Sequence, residues 1–230
     1  DNKKIKGLRV RTMGLQTYLN SSVAIMAGGL GTRLKPLTNK TPKPLIKVKG
    51  IPLIDRLIRN LSDQGFDNFI VSTNHMGEKI KAHLGSGDSF NVNIDYITEK
   101  KKMGTVGSLT MLRQNINFPL ILVNADILTN FNFRNLLDFH EGNKNDMTVC
   151  VKQYGMTLPY GLIESENYKF LSVSEKPTKY FDVNTGIYVL NKKVVDLIPK
   201  DTFYDATTLL QKSQNSGMKI GVHHTEGDWK

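Results

Sequence analysis

One segment carries the strongest signal in this chain: Val23-Ala-Ile-Met-Ala-Gly-Gly-Leu-Gly-Thr-Arg-Leu-Lys-Pro-Leu-Thr38, followed by Thr41-Pro-Lys-Pro-Leu45. An apolar run typical of a buried strand leads directly into a turn that contains Gly28, Gly29 and Gly31. Because glycine has no side chain, backbone N–H groups in such a turn can approach a phosphate closely. The cations of Arg33 and Lys43 follow within the same segment. This pattern predicts a strand followed by a loop that binds a triphosphate.

The loop differs from two common phosphate-binding motifs. It lacks the Gly-Lys-Ser/Thr of a Walker A loop, and Leu34 stands where the dinucleotide fingerprint Gly-x-Gly-x-x-Gly requires its last glycine. An ordinary turn between a strand and a loop needs only one glycine, whereas this one has several together with an Arg and a Pro-Lys-Pro. The combination therefore favours a dedicated phosphate site.

Short apolar runs alternate with amphipathic stretches along the rest of the chain. The predicted strands are Val23–Ala27, Asn68–Ser72, Val92–Tyr96, Leu120–Asn124, Met147–Val151, Gly161–Glu164, Phe170–Glu175 and Gly186–Leu190. Helical spacing of apolar residues is clearest between Leu53 and Leu61, with Pro52 suited to the first turn and Gly65 to the position past the end. Weaker helical patterns cover Glu78–Leu84, Val106–Leu112 and Asp205–Leu210.

This alternation predicts a three-layer, Rossmann-like α/β domain over residues 23–230, with a largely parallel mixed sheet. The closely spaced strands after Met147 predict an antiparallel part of that sheet. Residues 1–22 do not follow this alternation of strands and helices: Ile5–Val10 is predicted to be a short strand and Gly14–Leu19 a helical segment. We interpret them as a linker or as the tail of an upstream domain.

Composition narrows the functional classes. The net charge is +10, but Lys and Arg are spread along the chain without an aromatic-interleaved basic block, which argues against nucleic-acid binding. No run is long enough for a membrane span, and no secretory signal opens the sequence, so we expect a soluble, cytoplasmic protein without a membrane partner. The single cysteine, Cys150, lies in an apolar run and is expected to be a buried strand residue rather than a nucleophile. His223 and His224 fit strand-end residues better than zinc ligands.

The glycine loop resembles the signature of the sugar-1-phosphate nucleotidylyltransferases. Further motifs follow in register: Asn124-Ala-Asp126, Pro159-Tyr-Gly161, Glu175-Lys-Pro177 and Asn184-Thr-Gly-Ile-Tyr188. The likeness is closest to mannose-1-phosphate guanylyltransferase-like members that follow a CBS module, and residues 5–10 resemble the last strand of such a module. An expression tag or a disordered linker remains an alternative for the N-terminal residues.

The resemblance implies that a nucleoside triphosphate and a sugar 1-phosphate react to give an NDP-sugar and pyrophosphate, with Mg²⁺ as cofactor. It implies roles for individual residues of this chain. The catalytic cations are Arg33, Lys43 and Lys176, and the metal ligand is Asp126. The nucleotide-binding set is Gly28, Gly29, Gly31, Thr32, Glu99, Gly104 and Thr105, and the sugar-binding set is Tyr160, Gly161, Glu175 and Asn184.

Asp126 ends an apolar strand, which is where an open α/β sheet usually binds ligands. A carboxylate there suits Mg²⁺, although a helix-capping Asp is the alternative. Ala125 departs from the glycine that the family usually has at this position. The family's second metal carboxylate falls beyond residue 230, so we expect the domain to be truncated at its C-terminal end; Asp228 lies on the wrong side of Trp229 to replace it.

Glu99 occupies the family's base-recognition segment, where relatives that use uridine or thymidine often present Gln. Guanine offers two adjacent donors, N1–H and the exocyclic amine, to an acceptor-only carboxylate, so Glu99 favours GTP. A Glu followed by three Lys in a loop is, alternatively, simply a solvated surface.

Two other functions occur on related folds, and the sequence argues against both. A nucleotide-sensing regulatory subunit would lose the catalytic cations, but Arg33, Lys43 and Lys176 are all present. A glycosyltransferase would normally carry an Asp-x-Asp metal motif, and residues 124–126 lack the first Asp. The sequence does not decide the sugar or the oligomeric state, and a homo-oligomer is compatible with it.

Overall fold

The computed structural model describes residues 21–111 and 116–225. Its strands are β1 (Ser22–Met26), β2 (Lys47–Val48), β3 (Ile51–Pro52), β4 (Asn68–Thr73), β5 (Asn93–Thr98), β6 (Leu120–Asn124), β7 (Met147–Thr157), β8 (Leu162–Glu166), β9 (Lys169–Ser174), β10 (Thr178–Leu190) and β11 (Ile220–His224). Its α-helices are α1 (Leu53–Asp63), α2 (Gly77–Leu84), α3 (Phe133–Gly142), α4 (Lys192–Val195) and α5 (Ala206–Asn215). The N-terminal strand and helical piece predicted before residue 21, as well as Asp228 and Trp229, lie outside the described residues.

Seven strands form the central sheet in the order β11-β7-β10-β6-β1-β4-β5. The β1–β4, β1–β6, β4–β5 and β7–β11 pairs are parallel, whereas β10 runs antiparallel to both β6 and β7. The predicted mixed, largely parallel sheet is confirmed, and so is its antiparallel part after Met147. Beyond the sheet, β8 and β9 form a separate antiparallel hairpin.

Successive side chains of each strand point to opposite faces of the sheet, so a hydrophobic core forms on each face. Val23 and Ile25 of β1 pack in a cluster with the buried faces of α1, α2 and α3. Ala24, between them, points to the other cluster, which contains the buried residues of α4 and α5. A sheet with helices on both faces is the predicted three-layer α/β architecture.

Local sequence explains how α1 begins and ends. Leu53, Ile54, Leu57, Ile58 and Leu61 are buried along one face, as their spacing predicts. Gly65, just past the end of the helix, has φ of +96°, a conformation that costs glycine little and other residues more.

The structure differs from the predicted helices in two places. The described part of the Val106–Leu112 pattern does not form an α-helix: Gly107–Met111 is a short 3₁₀ helix. Its start is held instead by backbone bonds from Val106 and Gly107 to the Tyr204 carbonyl. Conversely, α3 was not predicted, although Asn132 caps it by accepting from the N–H groups of Arg134 and Asn135, at 3.0 and 3.1 Å.

None of the helices in the described part of the chain is both long enough and apolar enough to cross a membrane.

Candidate active site

Strand order brings the predicted motifs to one edge of the sheet. β1 lies between β4 and β6 and is parallel to both, with Met26 opposite Ser72 and Asn124. β5 extends this parallel set beyond β4. The loops that leave the carboxyl ends of these strands therefore start side by side, which is the usual place for a ligand in an open α/β sheet.

These loops enclose a cavity of about 330 Å³. Seven of the predicted site residues line it: Gly28, Gly29, Lys43, Glu99, Gly104, Thr105 and Asp126. They come from three regions that are far apart in the sequence, so the fold assembles most of the predicted nucleotide-binding set in one place. The other lining residues are Met26, Ala27, Pro44, Lys102, Asn124, Ala125, Phe203 and Asp205.

An ion pair joins two of the charged groups that line the cavity. Lys43 Nζ donates to Asp126 Oδ2, and both side chains remain partly exposed, at 27% and 34%. Lys43 reaches this position from the 3₁₀ helix Lys43–Leu45, and Asp126 from the end of β6. The alternative role of Asp126 as a helix cap is wrong, because Asn132 caps the helix that follows.

The glycines of the loop differ in how much space a side chain would have at each position. A Cβ on Gly28 would lie 3.2 Å from Glu99 Oε1, so this position brings the loop against the carboxylate. Gly31 has φ of +62°, and a Cβ there would meet the Thr38 side chain at 2.8 Å. Around Gly29, by contrast, a Cβ would meet nothing within 4 Å, and this residue faces the cavity. Gly29 therefore leaves backbone accessible where a phosphate could approach.

Glu99 is a buried carboxylate with partners of its own. It is only 9% exposed, so the alternative of a solvated surface side chain is wrong for this residue. Ser72 Oγ donates to Oε1 at 2.7 Å, and the backbone N–H of Met103 donates to Oε2 at 3.2 Å. Each carboxylate oxygen has more than one lone pair, so both oxygens retain capacity to accept from a ligand.

The remaining predicted residues do not line the cavity. Gly31, Thr32 and Arg33 belong to the loop around the 3₁₀ helix Thr32–Leu34, and the last two are exposed. The predicted sugar-binding residues and Lys176 are exposed as well. Tyr160 and Gly161 lie just before β8, Glu175 and Lys176 connect β9 to β10, and Asn184 lies on β10.

Two contacts nevertheless organise the predicted sugar region. A Cβ on Gly161 would lie 3.1 Å from Glu175 Oε2, so these two residues are neighbours across the hairpin. Asn184 Nδ2 donates to the Tyr188 hydroxyl at 2.5 Å. Burial raises the pKa of Tyr188, so its hydroxyl stays protonated. Lys176 has φ of +45°, an uncommon conformation for a residue other than glycine.

Sequence reasoning missed three cavity residues: Lys102, Phe203 and Asp205. Lys102 Nζ lies 5.9 Å from the centroid of the Phe203 ring, within the range of a cation–π contact. The signal for Asp205 was its position before an amphipathic helix, but that position predicts only a cap. Nothing in the local sequence placed it near residue 105.

Other candidate groups stand apart from this site. Cys150 is buried in β7, and burial raises the pKa of its thiol, in agreement with the predicted structural role. His223 and His224 are the last residues of β11, as predicted. Over residues 21–111 and 116–225 there is no group of three or more His, Cys, Asp or Glu side chains that could hold a metal ion.

Solved structures of known proteins share this fold. HddC from Yersinia pseudotuberculosis is 25% identical, with a TM-score of 0.71 over 91% of this chain and 92% of that one. A second structure of HddC, complexed with GMP-PN, is 23% identical with the same TM-score and supports the fold alone.

Curated relatives are enzymes named for different nucleotides. Mannose-1-phosphate guanylyltransferase of Mycobacterium tuberculosis is 30% identical over 181 residues, which is 76% of this chain and 50% of the relative. UTP–glucose-1-phosphate uridylyltransferase of Synechocystis is 28% identical over 225 residues, or 89% of this chain and 58% of the relative. The chain thus spans between 50% and 58% of the length of these relatives.

A family model described as nucleotidyl transferase matches residues 22–228, which is most of the chain. The match covers the glycine loop, the Asp126 motif and the predicted sugar region together, so the resemblance drawn from the motifs is confirmed. The chain belongs to the nucleotidyl transferase family.

Proposed function

We propose that this protein transfers a nucleotidyl group from a nucleoside triphosphate to a sugar 1-phosphate and releases pyrophosphate. The observation that carries the proposal is the shared cavity. Glycine-loop backbone, the Lys43 and Asp126 charges and the Glu99 segment all line it, so one ligand can contact all of them. A nucleoside triphosphate has matching groups: its phosphates suit the glycine loop and the charged residues, and its base suits the Glu99 segment. The names of the relatives support the same reaction class.

The donors around Asp126 fit Mg²⁺. The Asp126 carboxylate is a hard oxygen ligand that is partly exposed to the cavity, and the described residues offer no cluster of three or more possible ligands. Mg²⁺ is commonly bound by one or two carboxylates while phosphate oxygens and water complete its shell. When bound, the ion neutralises phosphate charge. Asp126 would hold it, and Lys43 lies against the same carboxylate.

The protein's own part in the reaction is positioning and charge neutralisation. A phosphate oxygen of the sugar 1-phosphate attacks the α-phosphorus, the bond between the α-phosphorus and the bridging oxygen breaks, and its electron pair leaves with pyrophosphate. The attacking oxygen is already an anion, so no general base and no covalent enzyme intermediate is needed. Lys43 and Arg33 would neutralise charge on the triphosphate and the leaving pyrophosphate, and Lys176 would orient the attacking phosphate.

GTP is the proposed nucleotide. Glu99 lies in the cavity with two acceptor oxygens that are oriented by Ser72 and by the Met103 N–H. Guanine presents two neighbouring donors, which complement these oxygens, whereas uracil presents one donor between two acceptors.

The cytoplasm, where nucleoside triphosphates are abundant, is the proposed location.

Replacing Glu99 with Gln should change the choice of base. A Gln presents one acceptor oxygen and one amide donor, and the donor would face either the guanine donors or the Met103 N–H. We expect affinity for GTP to fall about tenfold relative to affinity for UTP, as for loss of a hydrogen bond to a charged acceptor. Calorimetric titration with both nucleotides measures this ratio.

Glu164→Gln is the matched control for that experiment. Glu164 also accepts from a serine hydroxyl, at 3.0 Å from Ser172 Oγ, but it lies on the exposed β8–β9 hairpin outside the cavity. An unchanged ratio of GTP to UTP affinity in Glu99→Gln would remove Glu99 from base selection.

Lys176→Ala should affect the sugar substrate selectively. Lys176 is assigned to the sugar phosphate in the ground state as well as in the transition state, so its loss raises the KM for that substrate by about tenfold or more. The KM for the nucleotide should remain close to that of the unaltered protein. Lys179→Ala is the control, because Lys179 is an exposed cation on β10 close to it in sequence. Equal kinetics for Lys176→Ala and Lys179→Ala would leave Lys176 without a role in sugar binding.

The experiment that tests the proposed function is a pyrophosphate-release assay with Mg²⁺. It pairs each of the common nucleoside triphosphates with hexose, hexosamine and heptose 1-phosphates. We expect release that requires both substrates and is fastest with GTP. Pyrophosphate release that is independent of any sugar phosphate would contradict the transfer reaction.

A further inference from the structure

The predicted base-binding segment is joined to a distant part of the chain. Residues 103–107, which include Gly104 and Thr105, pack against residues 202–206 just before α5. The Tyr204 carbonyl accepts from the N–H groups of Val106 and Gly107 at 3.0 and 3.2 Å. These backbone bonds place the base-binding segment next to the N-terminus of a helix from the other end of the domain.

On the helix side of this contact, the Asp205 side chain bonds to Thr105. Its Oδ1 accepts from the backbone N–H and from the hydroxyl of Thr105, both at 3.0 Å. The Thr105 oxygen in turn accepts from the N–H of Ala206 at 3.0 Å. Asp205 stands at the N-cap position of α5 but caps no N–H of its own helix. Its carboxylate is therefore used to hold Thr105.

Residues 103–107 and 202–206 also approach each other closely. A Cβ on Gly104 would lie 2.6 Å from the Tyr204 carbonyl oxygen and 2.9 Å from Asp205 Oδ1, and Gly104 has φ of +74°. Gly104 thus allows the backbone of one segment to lie directly against the other. Both Gly104 and Asp205 also line the cavity that contains Glu99. The position of residues 103–107 in the cavity is consequently set by contacts with residues 204 and 205.

We propose that Asp205 is a positioning residue for nucleotide binding, which holds the segment 103–107 in the shape that receives the base. This inference rests on the proposed function of the cavity. Asp205 acts through Thr105, because both donors that it accepts belong to that residue. Neutral donors need an acceptor oxygen but not a full charge, so an amide oxygen can take the place of the carboxylate.

Two substitutions separate positioning from direct binding. Asp205→Ala removes the acceptor and leaves the Thr105 N–H without its partner, so we expect the Kd for GTP with Mg²⁺ to rise about tenfold. Asp205→Asn keeps an acceptor oxygen in place, and we expect its Kd to stay within about threefold of the unaltered value. If Asp205 instead bound a ligand cation through its charge, both variants would lose affinity equally.

Asn132→Ala controls for the loss of a polar side chain at a helix start. Asn132 stands at the N-cap position of α3, a helix of ten residues like α5, and it does not line the cavity. Its variant should bind GTP with the unaltered Kd. Amide hydrogen exchange at residue 105 gives a second readout without nucleotide, and exchange should be faster in Asp205→Ala but close to unaltered in Asp205→Asn.

The outcomes separate this inference from the proposed function. If the unaltered chain binds no nucleoside triphosphate, the proposed function and this inference fail together. If it binds GTP and Asp205→Ala binds equally well, only the role of Asp205 fails. Equal losses in Asp205→Ala and Asp205→Asn would likewise overturn positioning, because the charge itself would then be required.

Discussion

Asp126→Asn is expected to lower the Mg²⁺-dependent turnover by at least about 10³-fold, which is the upper range for loss of one preorganised electrostatic group. Asp126 follows the end of β6 and is one of the carboxylates that line the cavity, and its proposed task is to hold the metal ion near the phosphates. Asn has nearly the same shape but no charge, so it binds a hard divalent cation poorly. Turnover is measured as pyrophosphate release at saturating concentrations of both substrates.

The fold should survive this change. The ion pair of Asp126 with Lys43 is partly exposed, and such pairs contribute about 1 kcal/mol or less to the free energy of unfolding. Asp196→Asn is the matched control, because Asp196 also pairs with a lysine, Lys192 Nζ at 2.8 Å, but on the exposed surface of α4. Full activity of Asp126→Asn in the presence of Mg²⁺ would exclude Asp126 from the metal site.

Lys43→Ala should have the second-largest effect, a fall in turnover on the order of 10²- to 10³-fold. Lys43 lines the cavity between the glycine loop and Asp126, so its ammonium group is already placed where phosphate charge would lie. Its loss removes a cation whose interaction strengthens as charge develops on the leaving pyrophosphate. The effect should therefore persist when both substrates are saturating, and it should appear in kcat as well as in kcat/KM.

Lys35→Ala provides the comparison for Lys43→Ala. Lys35 is an exposed cation of the same loop and does not line the cavity. Arg33→Ala is expected to resemble Lys43→Ala, since Arg33 is assigned to the same triphosphate even though it is exposed on the loop. If Lys43→Ala and Lys35→Ala had equal effects, Lys43 would have no special place in the reaction.

Local patterns were sufficient for the nucleotide side of the site. The apolar run of β1, the glycine turn and the carboxylate after β6 are each visible in a short stretch of sequence. Parallel strands end at the same edge of a sheet, so the proximity of Asp126 to the glycine loop follows once the strands are recognised as parallel. The ion pair between Lys43 and Asp126 agrees with that expectation.

Features that depend on tertiary pairing were harder to predict. Asp205 and Thr105 are 100 residues apart, and their contact depends on where α5 begins relative to the sheet, which no local pattern encodes. Residues Val106–Leu112 have helical spacing, but Gly107 and the backbone bonds to Tyr204 limit the described part to a 3₁₀ turn. Tertiary contacts here override local propensity.

The sequence around α3 carries helical signals that our predicted elements do not include. Asn132 is a good N-cap residue, and the buried side chains of Phe133, Leu136, Leu137 and His140 recur at helical spacing. The extension of β7 and β10 beyond their apolar halves was not predictable in this way, because their distal residues are exposed on the paired ribbon and show no core-facing pattern.

The sugar side of the site depends on family register alone. The order of the family motifs along the chain identifies Tyr160, Glu175 and Lys176. It does not give the distance between these residues and the cavity. In the structure they are exposed and do not line the cavity. Their roles stay predictions until sugar-phosphate kinetics are measured.

In the proposed reaction, a sugar-phosphate oxygen displaces pyrophosphate from the α-phosphorus in one in-line step. Stereochemistry tests this step with GTP that carries a single sulfur of known configuration at the α-phosphorus, together with Mg²⁺ and the sugar 1-phosphate that gives the fastest pyrophosphate release. The configuration of the resulting GDP-sugar is then determined. We predict inversion at phosphorus, because one displacement without a covalent intermediate inverts the centre. Retention of configuration would mean two displacements through a nucleotidyl-enzyme intermediate and would exclude the single in-line step.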